Sequence, residues 1–234
     1  MPYGEAIGAQ LEDAWRMKSF VVIDFETTGF SPDKERIVEM GLAIFEHGQF
    51  AGSKNWLTHP GKPIPEEASN VHGIYDADVA SAPKFSEVFA DARQYMSQRL
   101  PVAYNAEFDR SFLVASYCRL GGSVDEDPPI ALNKHVIWLD PLIWVREFQK
   151  YEKGKKLTDA CRRLGIPVND AHCASADAEM TGEVLLKLAR RMPKTYREVI
   201  AKQKAYDKAQ QASYAIWRKR QELIRAKTTR KEVR

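Results

Sequence analysis

The chain has 234 residues, of which 44% are hydrophobic and 29% charged, as expected for one globular domain with a sizeable core. A run of about 18 apolar residues and a secretory signal are both missing from the sequence, so a membrane protein and a secreted protein are not expected. Three cysteines without CxxC spacing argue against a disulfide framework or a structural zinc site, and they favour a cytoplasmic protein.

Charge is distributed unevenly along the chain. Residues 193–234 contain 13 of the 35 lysines and arginines but only 4 of the 32 acids, so the remaining 22 basic residues face 28 acids in residues 1–192. An acidic body does not attract polyphosphate through its overall field. A bound cation or the basic tail would have to supply that attraction.

Apolar patterning predicts the elements of the first half in chain order. Residues 1–18 form an N-terminal helical extension. Ser19–Phe25 is a nearly continuous apolar run that ends in acids, which is typical of a central strand covered on both faces. Arg36–Phe45 and Phe50–Leu57 are the next two strands, joined by a turn at His47 and Gly48.

Helices and strands alternate in the second half. The predicted helices are Lys84–Leu100, Asp109–Leu120, Leu142–Lys150, Leu157–Leu164 and Ala178–Arg190, and the predicted strands are Pro101–Tyr104 and His135–Leu139. A meander of three strands followed by this alternation predicts an α/β fold with a mixed sheet covered by helices. The main domain is expected to span residues 19–192. Residues 193–234 should form a basic helical tail whose end is partly disordered.

Two acids at the end of the first strand are the first candidate site. Asp24 and Glu26 are two residues apart, so their side chains point to the same face of the strand, at the carboxyl end where ligands gather in open α/β sheets. Neighbouring carboxylates repel each other unless a proton or a metal neutralises them. A strand that simply runs out into solvent would show the same pattern.

Two further acids and a histidine fit the same site. Asp109 follows a short strand and opens a helix, and Asp177 precedes the last helix of the main domain, so either aspartate could be an ordinary helix N-cap. His172 stands five residues before Asp177, and a neutral imidazole near carboxylates and a cation is a good general base near pH 7. The joint order and spacing of these residues favour a catalytic site.

The sequence resembles the DEDDh, or DnaQ-like, 3′–5′ exonucleases over roughly residues 19–190. The matching stretches are Ile23–Gly29 (IDFETTG), Arg36–Gly41 (RIVEMG), Val71–Ile74 (VHGI), Tyr104–Asp109 (YNAEFD) and His172–Asp177 (H-x-A-x-x-D). Tyr104 departs from the pattern, because many members have histidine before the asparagine. The N-terminal extension and the basic tail have no counterpart in the family pattern.

The resemblance implies a ribonuclease-H-like fold, with a five-stranded mixed sheet flanked by helices. It also implies removal of nucleotides from single-stranded 3′ ends, with nucleoside 5′-monophosphates as products. DNA is the expected substrate, because the motif spelling is most similar to the proofreading branch. An RNA-trimming exonuclease and a non-catalytic nucleic-acid-binding module on the same fold are the alternatives.

The same resemblance implies two divalent cations, Mg²⁺ or Mn²⁺, held by Asp24, Glu26, Asp109 and Asp177. Four carboxylates are hard oxygen ligands that suit these ions, and two ions about 4 Å apart can clamp the attacking and leaving oxygens of a phosphoryl displacement. Asp24 would bridge both ions, and His172 would take the proton from the nucleophilic water.

Substrate contacts are expected in three places. The turn after the first strand, Thr27, Thr28 and Gly29, can approach the terminal nucleotide closely. Phe30 would either stack on a base or lie at the edge of the core. His72 resembles a family position near the terminal sugar, and Asn105 is expected to orient the loop that bears Asp109.

The basic tail and one strand acid complete the sequence-based expectations. The tail could capture nucleic acid, dock a partner protein such as a polymerase, or be a solvated helix end. Glu39 lies among apolar neighbours, so it is expected to be a hydrogen-bonded structural carboxylate and not a metal ligand.

Overall fold

A computed structural model describes residues 14–125, 128–168 and 173–232. Its centre is a four-stranded sheet in the order β3-β2-β1-β4. The strands are β1 (Phe20–Thr27), β2 (Ile37–Glu46), β3 (Gln49–Leu57) and β4 (Leu100–Val102). β2 is antiparallel to both β1 and β3, whereas β4 is parallel to β1. The predicted mixed sheet is therefore confirmed.

The predicted fifth strand, His135–Leu139, is reduced to one parallel bridge between Val102 and Leu139. Its backbone carbonyls are bonded by side chains from the C-terminal helix: the Tyr196 hydroxyl donates to the carbonyl of Ile137 (2.6 Å), and Gln203 Nε2 donates to that of Trp138 (2.8 Å). A backbone whose acceptors are already satisfied gains little from extending the ladder. The five-stranded count is thus not confirmed.

Eight α-helices lie within the described residues. They are α1 (Glu66–His72), α2 (Asp76–Val79), α3 (Phe85–Met96), α4 (Ala106–Arg119), α5 (Pro141–Phe148), α6 (Leu157–Leu164), α7 (Ala174–Ala189) and α8 (Tyr196–Glu232). α6 has the predicted bounds, whereas α7 begins four residues before its predicted start.

The sheet separates two apolar layers, and β1 contributes to both because its side chains alternate between faces. Val21, Ile23 and Phe25 pack in the layer formed with α3 and α4. Phe20 and Val22 pack in the layer formed with α5, α6 and α7. Asp24 and Glu26 continue this second face, so α7 covers the strand on the side where both acids project.

The start of the described chain packs against the segment between α7 and α8. Trp15 is fully buried, and its indole nitrogen donates to the carbonyl of Pro193 at 2.9 Å. Trp15–Met17 forms a single 3-10 turn, whereas residues 1–13 of the predicted N-terminal helix lie outside the described residues. None of the helices described here combines the length and apolar character needed to span a membrane.

Candidate active site

The fold brings three of the predicted acids together. Asp24 and Glu26 extend from the end of β1, and Asp177 extends from the first turn of α7. One carboxylate oxygen from each of the three lies within 4.8 Å of the others. The N-cap of α7 is Cys173 and not Asp177, which lies in the first turn of the helix.

Glu39 and Gly41 of β2 hold the start of α7 against the sheet. Glu39 is 6% exposed, and its Oε2 accepts a hydrogen bond from the Ala174 amide at 2.9 Å while Oε1 accepts one from Asn55 Nδ2 at 2.7 Å. A Cβ at Gly41 would lie 2.1 Å from the carbonyl carbon of Ala174. The glycine thus permits the close approach, and the carboxylate satisfies an amide at the helix terminus. The expectation that Glu39 is a hydrogen-bonded carboxylate is confirmed.

Asp109 lies beside the same strand. It is 3% exposed, and its Oδ1 accepts a hydrogen bond from the Phe25 amide, the residue between Asp24 and Glu26, at 3.1 Å. Its helix, α4, begins at Ala106, so Asp109 is not an N-cap either. Asn105 has that position, in the left-handed conformation at φ 71°.

Asp140 fixes this turn, although its role was not predicted from the sequence. Its carboxylate accepts hydrogen bonds from the amides of Asn105 (3.1 Å), Ala106 (3.0 Å) and Leu142 (2.8 Å), so one side chain joins the starts of α4 and α5. Burial raises its pKa to about 6, against the effect of these three donors.

The C-terminal helix reaches the same point through Gln203, which is 4% exposed. Gln203 Oε1 accepts hydrogen bonds from the Asp140 amide at 2.9 Å and from the Trp144 indole at 3.2 Å. The helix predicted to be a separate tail is therefore connected, through Gln203 and Asp140, to the turn that precedes Asp109.

The carboxylates of the cluster have strongly perturbed proton affinities. Burial raises the pKa of Glu26 to about 8, with further contributions from Asp177 and Glu39. Burial also raises the pKa of Asp24 well above its ordinary value, helped by Asp109, Asp177 and Glu26. The pKa of Asp109 is raised by burial as well. Ionisation of these carboxylates in the metal-free protein therefore costs free energy.

Residues 21–185 match the family model described as RNase_T, exonuclease. The chain belongs to this exonuclease family.

Among similar proteins, the PolC-type DNA polymerase III of Oceanobacillus iheyensis is 29% identical over 190 residues, which are 81% of this chain but 12% of that protein. Two solved structures share the fold. Exonuclease X with 5′ overhanging duplex DNA has a TM-score of 0.60 at 22% identity, covering 77% of this chain and 96% of that one. The nuclease domain of 3′hExo, a DEDDh family member bound to rAMP, has a TM-score of 0.63 at 15% identity, covering 78% and 96%.

The family match confirms the predicted exonuclease family, and the solved structures share the predicted ribonuclease-H-like fold. The chain is thus a nuclease of this exonuclease family. The chain spans only about an eighth of the length of the PolC-type relatives that it matches.

The site of the exonuclease suits divalent metal ions on its own chemistry. Its donors are carboxylate oxygens from Asp24, Glu26 and Asp177, which are the ligands that Mg²⁺ and Mn²⁺ prefer. Burial and the neighbouring acids raise the pKa values of Asp24 and Glu26, and in such a setting a bound cation stabilises the ionised carboxylates. His172 lies outside the described residues, so its position relative to these acids stays a prediction.

The turn after β1 of the exonuclease is closed by its own side chains. Thr27 Oγ1 donates to the carbonyl of Gly29 at 2.7 Å, and Thr28 Oγ1 donates to Glu35 at 2.5 Å. Gly29 has φ 156°, and a Cβ there would lie 3.0 Å from Glu35 Cγ. These contacts fix the conformation of the loop, and its contact with substrate stays a prediction.

The structure also places two predicted substrate residues and the residue that departs from the family pattern. Phe30 is 90% exposed, which places it outside the core and leaves its ring available for stacking. His72 is 7% exposed at the end of α1, where its Nδ1 accepts a hydrogen bond from the Ile74 amide at 3.1 Å. Tyr104 donates from its hydroxyl to the carbonyl of Lys155 at 2.6 Å, so the residue that departs from the family pattern ties down the 149–156 loop.

Replacing Gln203 by leucine is expected to destabilise the fold by about 1–3 kcal/mol, because the amide of Asp140 and the indole of Trp144 would lose their acceptor. Turnover should also fall, since Asp140 positions the turn before Asp109. Urea unfolding and a nuclease assay measure the two effects. Gln211→Leu is the matched control, because Gln211 bonds Asp207 on the exposed side of the same helix; equal losses in both variants would contradict the connection.

Proposed function

We propose that this protein is a 3′–5′ exonuclease that hydrolyses single-stranded ends, preferentially of DNA, to nucleoside 5′-monophosphates with two Mg²⁺ or Mn²⁺ ions. The observation that carries the proposal is the convergence of Asp24, Glu26 and Asp177 within 4.8 Å in a chain of the exonuclease family. Asp109, bonded to the strand between the two β1 acids, supplies the fourth carboxylate.

Each residue has a distinct task in this proposal. Asp24, Glu26, Asp109 and Asp177 would hold the metal ions, and when bound these ions supply positive charge for the phosphodiester and for the oxygens that attack and leave. His172 would accept the proton of the attacking water at an imidazole nitrogen. Phe30 would stack on a base near the 3′ end, and the backbone of Thr28 and Gly29 would line the terminal nucleotide.

The preference for DNA is supported by the similarity to PolC-type DNA polymerase III and by the fold shared with exonuclease X bound to DNA. An RNA-trimming activity is the second candidate, because the nuclease domain of 3′hExo has the same fold and binds rAMP. The 2′-hydroxyl is the group that distinguishes the two substrates, so matched DNA and RNA oligonucleotides separate the two candidates.

The exposed face of α8 is proposed to contact nucleic acid or a partner protein such as a polymerase. Tyr214 and Trp217 stack at 5.6 Å, and the Arg218 guanidinium lies 5.5 Å from the Tyr214 ring. Tyr214 and Trp217 are 58% and 52% exposed, so this group of side chains is available on the surface.

Matched DNA and RNA 12-mers of one sequence, labelled at the 5′ end, test the proposal. With Mg²⁺ or Mn²⁺, the DNA should shorten one nucleotide at a time from the 3′ end and faster than the RNA, and chelator should stop the reaction. Faster RNA shortening would select the RNA-trimming alternative. Stable binding of both oligonucleotides without shortening under any metal would select the non-catalytic module.

A further inference from the structure

A cavity with a volume of about 270 Å³ lies on the main domain outside the acid cluster. It is formed where the start of β2, the loop after β3, the start of α3 and the end of α4 meet. Arg36, His59, Lys84 and Arg119 line it, together with apolar surface from Phe85 and Leu120. Acidic side chains are missing from its lining among the residues that the structure describes.

The basic groups around this cavity are not neutralised by ion pairs. Within the described chain, no carboxylate oxygen comes within 4.0 Å of a side-chain nitrogen of Arg36, Lys84 or Arg119, although the backbone amide of Lys84 donates to Glu87 at 2.9 Å. Glu35, the acid next to Arg36, is bonded instead to Lys62 and Thr28. Positive charge therefore gathers in a partly enclosed space, which is the arrangement that an anion stabilises.

Arg119 and His59 present hydrogen-bond donors for such an anion. The Arg119 guanidinium donates to the carbonyl of Pro32 and to Ser116 Oγ, which leaves several of its five N–H groups free. Burial and the neighbouring Arg36 lower the pKa of Arg119, against the effect of Asp33. His59 Nδ1 accepts a hydrogen bond from the Gly61 amide, so a neutral ring carries its proton on Nε2 as a donor.

The cavity is continuous with the loop that follows the catalytic strand. Thr28 donates from its amide to the carbonyl of Arg36 at 2.8 Å, and the Arg36 amide donates to Thr28 Oγ1 at 2.9 Å. Arg36 is thereby fixed to a residue that lies two positions after Glu26. The exposed ring of Phe30 belongs to the same loop.

We propose that this cavity is a strand-binding subsite, in which Arg36, Lys84 and Arg119 hold a backbone phosphate upstream of the nucleotide being removed. The apolar walls at Phe85 and Leu120 accommodate the sugar or base attached to that phosphate. This subsite rests on the proposed exonuclease function and extends it. It explains how an acidic domain retains a polyanionic strand while its catalytic carboxylates face only the terminal phosphodiester.

The test compares two double variants that each remove two positive charges. Lys84→Gln with Arg119→Gln changes the cavity, whereas Arg93→Gln with Arg190→Gln changes exposed positions on α3 and at the end of α7 that do not line it. Only the cavity variant should raise the KM for a single-stranded DNA 12-mer, by about 10-fold, with kcat changed by less than about 2-fold. The p-nitrophenyl ester of thymidine 5′-monophosphate has no upstream phosphate, so its hydrolysis should be unchanged.

Binding is measured separately from hydrolysis, by fluorescence anisotropy of the 12-mer with both double variants in an Asp109→Asn background. Because the cavity is proposed to hold one phosphate, its loss should lower the slope of log K against log salt by about 0.7 for a single strand. Equal affinities and slopes in the two double variants, each with an unchanged melting temperature, would overturn the subsite.

Two further outcomes are distinguishable. If the wild type hydrolyses neither substrate but the cavity variant still binds the 12-mer more weakly than the control variant, the exonuclease proposal fails and the subsite stands. If calorimetric titration shows inorganic phosphate binding that the cavity variant loses, while both variants bind the 12-mer equally, the ligand is free phosphate and the strand proposal is wrong.

Discussion

Replacing Asp24 by asparagine is expected to lower exonuclease turnover by about 10³-fold or more, while raising the melting temperature of the metal-free protein. Removal of one electrostatic group that stabilises a transition state costs on the order of 10²–10³-fold, and a direct metal ligand should cost at least as much. The pKa of Asp24 is raised by burial and by Asp109, Asp177 and Glu26. The ionised carboxylate therefore destabilises the metal-free fold, and removing it should increase stability. An amide of the same shape removes that repulsion.

Turnover of the labelled DNA 12-mer and calorimetric melting with chelator measure the two effects. Glu66→Gln is the matched control, since it neutralises an exposed acid in the first turn of α1 and should change neither quantity. A melting temperature that falls together with activity would mean that Asp24 supports the fold and is not a strained ligand. Turnover equal to that of the wild type would remove Asp24 from the mechanism.

The stability of the metal-free protein is expected to fall as pH rises from about 4.5 to about 8. In this window Glu26 ionises in the unfolded chain at its ordinary pKa of 4.5 but retains its proton in the folded protein, where its pKa is about 8. The folded state therefore binds more protons, and stability decreases with pH. Asp140, whose pKa is raised to about 6, acts in the same direction at the lower end of this window.

Glu26 is partly exposed, so solvent screening reduces its effect. We expect a fall in melting temperature of about 5–10 °C between pH 5 and pH 8.5 in chelator. Saturating Mg²⁺ or Mn²⁺ should remove most of the fall, because the metal replaces the proton as the neutralising charge. Glu26→Gln should flatten the profile and Glu66→Gln should not; a profile that rises with pH in chelator would refute the electrostatic account.

The parts of the site that follow from strand geometry could be predicted from the sequence. Alternation along the first strand places Asp24 and Glu26 on one face. In the structure both acids lie on the face of β1 that α7 covers. The N-cap alternative for Asp109 and Asp177 was wrong, because each helix begins before its aspartate, at Ala106 and at Ala174. Asn105 and Cys173 occupy the cap positions, and the Ala174 amide is bonded by Glu39 from another strand.

The parts that depend on contacts between distant segments could not be predicted. Asp140 and Gln203 are 63 residues apart in the chain, and neither belongs to a motif. Their bond, together with that of Tyr196 to the carbonyl of Ile137, replaces the fifth strand that the apolar run at His135–Leu139 favours. The basic cavity likewise combines side chains from four separate segments, which sequence alone does not bring together.

The dependence of the turn before Asp109 on Gln203 has a practical consequence for anyone who wishes to trim this protein. The family match ends at residue 185, and a fragment cut there would retain all four acids. It would nevertheless lose the acceptor for the Asp140 amide and the carbonyl that holds Trp15. The minimal stable domain is therefore longer than its recognisable motif set, and its boundary should be drawn after the part of α8 in which Tyr196, Val199 and Gln203 are buried.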